Sequence, residues 1–211
     1  MIGQSNKKGY FTRRLFIAGV IAICLGASVA CKRSTTTGGG IDILGPADET
    51  AEAGKVVADA NEDLKKIKVL YDANIDKREE LKKALEANDA VQVKKLADEI
   101  VYLINDGTQS GQSALDKLQK AQEMHVNDDY SEYLRLKEES IKKELDAFEH
   151  YRQAARTLRD NYDPNNAAVR DKVKEEFKTR SENYQKTMDE ARADSGQANQ
   201  IAKDALKKQN N

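Results

Sequence analysis

From residue 48 onward, apolar residues recur at intervals of three and four, the spacing that lines one face of a helix. A first run passes through Ala53, Val57, Ala60, Leu64, Ile67, Tyr71, Ile75, Leu81 and Leu85 and meets Asn88-Asp89, where Asp89 is suited to cap a new helix. A second runs from Val93 through Ile100, Ile104, Gly107 and Gly111 to Ala121, and Asn127-Asp128-Asp129 interrupts it. A third runs from Tyr133 through Ile141 and Phe148 to Tyr162. Asp163-Pro164 stops it, because the residue before proline avoids the helical region and proline suits a first turn. The fourth runs from Val169 through Phe177, Tyr184 and Met188 to Ala205. Four helices of roughly 35 to 45 residues, each about 50 to 65 Å long, can bury such stripes only against one another. Short links make neighbours antiparallel, so the pattern predicts an all-α fold: an antiparallel four-helix, up-down-up-down bundle over residues 48–209. Glu79/Lys83, Glu138/Lys142 and Glu139/Lys143 have the order that favours pairing on a helix surface.

Asn105-Asp106-Gly107 is a strong turn signal inside the second run. The three-four phase nevertheless continues through Gly107 and Gly111, which predicts an unbroken helix with glycine facing its neighbours. Antiparallel counting about the links places Gly107 opposite Phe148 and opposite Val69 to Tyr71, and brings Phe177 near His150.

The amino terminus is organised differently. A basic stretch (Lys7 to Arg14) precedes an apolar stretch (Leu15 to Ala30) that ends in small residues and Cys31, the three-part layout of a secretory signal. A membrane-spanning helix wants roughly 20 apolar residues, so an uncleaved anchor here would be short. Ser28-Val29-Ala30-Cys31 resembles the lipobox of bacterial lipoproteins, with Ser28 where leucine is usual. The resemblance implies cleavage before Cys31 and a diacylglyceryl group on its sulfur. Cys24, preceded by bulky Ile23, fits that role less well. Thr12-Arg13-Arg14-Leu15-Phe16-Ile17 also resembles the twin-arginine export motif, with Ala18 in place of the lysine that often follows. Arg13 and Arg14 serve equally as the positive start of a general secretory signal, so both routes remain open.

This reading divides the chain into a signal peptide (1–30), a lipidated cysteine with a flexible tether (31–47) and a helical bundle (48–209). The Thr- and Gly-rich residues 32–47 would reach roughly 20 Å on average and about 55 Å when extended. Their apolar patch Ile41-Ile43-Leu44 either docks on the bundle or lies loose. One acyl chain binds membranes only marginally, whereas two or three hold stably. Lys32, not aspartate, follows Cys31, which leans toward the outer membrane if the cell is Gram-negative.

Charge changes the picture in one respect. The chain carries 35 basic and 36 acidic residues, but four of the bases and none of the acids lie in residues 1–31. Residues 32–211 therefore hold 31 basic against 36 acidic residues, a mixed and mildly acidic surface that argues against nucleic acid. Both cysteines lie in the amino-terminal segment, which leaves no disulfide framework or zinc spacing elsewhere. Only His125 and His150 offer imidazoles. His125 is expected in the last turn of the second helix, at the negative end of its dipole. Neither histidine has Glu three residues before it, so the ligand set of ferritin-like iron bundles is missing. Asp128-Asp129 and Glu175-Glu176 read as helix-start and solvated residues. Tyr71, Tyr102, Tyr133, Tyr151, Tyr162 and Tyr184 mostly fall on the apolar stripes, with their hydroxyls at the core margin.

No catalytic, cofactor-binding or metal-binding set emerges, and the chain is not expected to be an enzyme. The expected function is that of an envelope lipoprotein, bound to membrane lipid through Cys31 and to a protein partner through its bundle. The alternative is a ligand-binding or sensory bundle that takes a small molecule or ion between helices near Gly107 and His150. A filled aromatic layer there favours the first; a polar cavity favours the second.

Overall fold

A computed structural model describes residues 48–209. They form an all-α helical bundle of four helices: α1 (Thr50–Glu86), α2 (Ala90–Gln122), α3 (Asp128–Asn161) and α4 (Ala167–Gln209), with no strand among the described residues. The expected signal peptide, Cys31, Arg13, Arg14 and the expected tether all lie outside the described residues.

Each link is built from the polar residues that interrupt the stripes. After α1 the chain reverses at Asn88, whose φ of 54° places it in the left-handed region that Asn tolerates better than most residues. Asp89 then caps α2, its carboxylate accepting from Gln92 N at 3.1 Å. Asn127 caps α3 in the same way, accepting from Tyr130 N at 2.9 Å. Pro164 lies before α4 and outside its first turn; Asn166 takes the capping role, accepting from Val169 N at 3.2 Å.

Polar contacts join the helices. Lys117 of α2 reaches Asp63 of α1, and Glu99 meets Lys77. Arg159 of α3 reaches Asp98 of α2 at 3.2 Å. Ser140 of α3 donates to the carbonyl of Ala191 on α4 at 2.8 Å, and Thr157 donates to Glu176. Arg192 of α4 meets the hydroxyl of Tyr71 on α1 at 3.4 Å. Both ends are also closed by polar contacts. Glu49 N donates to the carbonyl of His125 at 2.8 Å at one end, and at the other Lys174 donates to the carbonyl of Leu85 and to Asn88.

The apolar core has two parts. One draws on all four helices and includes Ile67, Leu81, Ile100, Phe148, Tyr151, Leu158 and Tyr184. The other is built from α1, α2 and α3, around Val57, Leu118, Leu134 and Ile141. α2 passes through Asn105-Asp106-Gly107 without a break, as the unbroken phase requires. A Cβ on Gly107 would stand 3.3 Å from Phe148 Cε2, and one on Gly111 would stand 2.7 Å from Leu145 Cδ2. Both glycines therefore let α3 side chains lie directly on the α2 backbone. The helix-propensity cost of about 1 kcal/mol per glycine is recovered in that contact.

Several expectations are corrected. Ile75 is 43% exposed, and the inward position on that turn belongs to Asn74. The stripe of α1 runs Ile67, Tyr71, Asn74, Arg78, Leu81, so an apolar residue one position out of phase is misleading there. Tyr102 is 65% exposed, out of phase with Ile100 and Ile104. α2 ends at Gln122, so His125 lies in the link and not in a last helical turn. Lys143 pairs with Asp194 of α4 and not with Glu139, which Arg135 engages instead; Glu138/Lys142 does form, at 2.7 Å. Phe177 packs on Tyr151, with ring centroids 6.1 Å apart, one residue beyond His150.

The Gly107–Phe148 contact makes two variants informative. Phe148→Ala should cost roughly 3–5 kcal/mol, because its ring is buried over glycine and the backbone cannot collapse to fill the void. Gly107→Leu should cost roughly 1–3 kcal/mol through overpacking, despite a helix-propensity gain of under about 1 kcal/mol. Chemical denaturation reads both. A Phe148→Ala loss below about 1 kcal/mol would contradict a packed layer.

Candidate functional site

The middle of the bundle is where the sequence directs attention, and there the core is aromatic and cationic together. Tyr151 of α3 and Tyr184 of α4 stand with ring centroids 5.0 Å apart. Arg78 of α1 lies over both rings, its guanidinium carbon 5.0 Å from the Tyr151 centroid and 5.4 Å from that of Tyr184. Such cation–π contacts contribute about 0.5–2 kcal/mol, more as water is excluded. Burial raises Tyr151 to about 12, against the opposing pull of Arg78, and Tyr184 is raised as well. Both phenols therefore stay neutral at any physiological pH.

Between these rings and the Gly107–Phe148 contact lies a cavity of about 20 Å³, bordered by Tyr71, Asn74, Gly107, Phe148, Tyr151 and Tyr184 among others. A volume of that size admits a single water and no metabolite. His150 does not border it; its Nε2 faces Asp146 of the preceding turn at 3.8 Å.

A second polar centre holds α1 to α2. Asp63 is only 4% exposed, and its carboxylate accepts from Lys117 Nζ and Ser113 Oγ, each at 2.6 Å, and from Lys66 Nζ at 2.7 Å. Lys117 first, then Lys66 and Ser113, hold its pKa well below the usual carboxylate range against the opposing effect of burial. Three charge-assisted or hydroxyl donors on one buried carboxylate make a structural clasp. Beside it, Asn105, Gln112, Asp116, Lys120 and Arg152 border a broad surface depression of about 690 Å³. It is wide open to solvent, and two of its cations are already shared: Lys117 with Asp63, and Arg152 with Glu149.

A third, half-buried charge behaves in the opposite way. Glu144, on the α3 face toward α4, is raised to about 7 because desolvation outweighs the attraction of Arg192 and Lys137. Asn74, Arg78, Asp63 and Glu144 were all missed by a search for apolar stripes. Phase was the available signal, since Asn74 and Arg78 continue the three-four count from Tyr71. Asp128 and Asp129 lie in the exposed first turn of α3, as expected of helix-start residues. Among the described residues no group of three or more His, Cys, Asp or Glu side chains is placed to hold a metal. Among the same residues no helix is long and apolar enough to cross a membrane.

Asp63 and Glu144 together predict the pH dependence of folding. Glu144 has a raised folded pKa, so the folded state takes up its proton first, and stability rises as pH falls from about 7 toward 4.5. Asp63 has a lowered one, so its contribution is present above its ordinary value and is lost as pH falls below it. Urea denaturation across pH should therefore show maximal stability near about pH 5, with a gain on the order of 1–3 kcal/mol relative to pH 8 from Glu144. Glu144→Gln should flatten the gain, and Asp63→Asn should lessen the acid-side loss, to which Glu138, lowered to about 2 chiefly by Lys142, also contributes. An unchanged profile in Glu144→Gln would contradict the assignment.

No family model matches the chain, and the comparisons with curated proteins and with solved structures likewise find no match.

Proposed function

We propose that this chain is a bacterial envelope lipoprotein whose helical domain is an interaction or structural module, tethered to a membrane surface by acylated Cys31. The observation that carries the reading is the order of residues 12–31: paired arginines, an apolar run, small residues and a cysteine. A Thr- and Gly-rich segment follows, and helix begins at Thr50. The paired contacts between helices support an antiparallel up-down-up-down arrangement. The partner would be a protein of the envelope, met on the mixed-charge outer faces, with the outer membrane as the favoured address in a Gram-negative cell.

The aromatic layer supports a structural role over a sensory one, because a cavity of about 20 Å³ does not accommodate a metabolite between the helices. Asp63 is saturated by three donors and Arg78 is engaged by two rings. That arrangement favours a binding module over an enzyme.

Cys31→Ala tests the anchor. It should abolish labelling by a clickable fatty acid and block signal cleavage, and normal labelling of the variant would overturn the lipoprotein reading. Arg13→Lys with Arg14→Lys keeps the positive charge, yet should stop export if the twin-arginine route is used. Unchanged export would assign the general secretory route. Crosslinking in intact cells, followed by capture of the acylated protein, identifies the partner.

A further inference from the structure

The cavity beneath Gly107 has one feature that close packing does not explain. Asn74 is 8% exposed, and its Oδ1 has no hydrogen-bond partner among the described residues. A buried amide oxygen left without a donor is disfavoured, so nearly all such groups in folded proteins are paired with protein or with ordered water. Asn74 borders the cavity of about 20 Å³, which exceeds the roughly 10–15 Å³ that one water requires. Three further polar side chains, Tyr71, Tyr151 and Tyr184, border the same space. The two observations are independent: one is an unpartnered acceptor, the other a volume of the right size beside it.

We propose that a single water molecule is a fixed component of this core, bound in the cavity by hydrogen bonding to the amide of Asn74. The chemical class follows from the surroundings. The unpartnered atom is an acceptor, so the occupant must donate a proton, which excludes an inert apolar atom and a simple anion. A metal cation is disfavoured by the guanidinium of Arg78, which lies over the Tyr151 and Tyr184 rings that form one wall. A larger polar molecule does not fit. The bound water explains why the inward stripe of α1 tolerates asparagine where leucine or isoleucine would otherwise be expected.

The test uses the full chain in detergent. A crystal structure that resolves ordered solvent should show one peak inside the cavity, within about 3.2 Å of a polar atom of the Asn74 side chain. A cavity without density, or an Asn74 side chain turned onto a protein partner, overturns the proposal. Oxygen-17 relaxation dispersion of the same protein counts slowly exchanging waters in solution. Asn74→Leu, which removes the acceptor and fills the space, should lower that count by one, and an equal count in both proteins overturns the proposal. If the variant does not fold, the crystallographic arm on the unaltered chain still decides.

Discussion

The close approach of α2 to α3 at Gly107 and Gly111 is the contact on which the interior depends. With no side chain on α2 at these positions, Phe148 and Leu145 of α3 lie directly on its backbone. Any Cβ at Gly107 would press on the Phe148 ring, and one at Gly111 would collide with Leu145. Phe148 in turn forms part of the wall that encloses Tyr151 and Tyr184, so the spacing of one helix pair sets the position of the aromatic layer for all four. Interiors packed to crystal-like density transmit such constraints, since side chains have little room to accommodate a shift.

α1 is bound by a different balance of forces. Its buried apolar residues are mostly small, Ala53, Val57, Ala60 and Ala84 beside Ile67 and Leu81, and Asp63 and Asn74 are buried with them. Arg78 adds a cation against two rings, and Lys77 and Asp63 pair across to α2. Polar contacts of this kind contribute less net stability than apolar burial, but they are directional. Breaking a buried pair leaves an uncompensated charge, so a shifted register of α1 is strongly disfavoured.

The polar centres are taken up in contacts within the fold. Asp63 is saturated by three donors, Arg78 is engaged by two rings, and the one cavity among them has room for a water. What the domain presents to its surroundings is an evenly charged helical surface with isolated apolar residues such as Val69, Val91 and Tyr102. The polar contacts of the interior thus serve the fold.

The sequence by itself determined the helical class, the number of helices and the three links, because a three-four stripe and the Asn and Asp residues that interrupt it are local properties. Asp89 and Asn127 were legible as breaks, and Gly107 was legible as a packing position because the phase ran through it. Only the tertiary structure decided which residue of each turn faces inward. Ile75 looks like core by its chemistry, yet Asn74 holds the inward place, because the rotation of α1 is set by its packing, chiefly against α2. The same holds for Arg78 over two tyrosines and for Lys143 reaching Asp194 instead of Glu139: each pairing joins residues distant in the chain. Helical periodicity is written along one helix, but the partner of a polar side chain depends on how separate helices are rotated against one another.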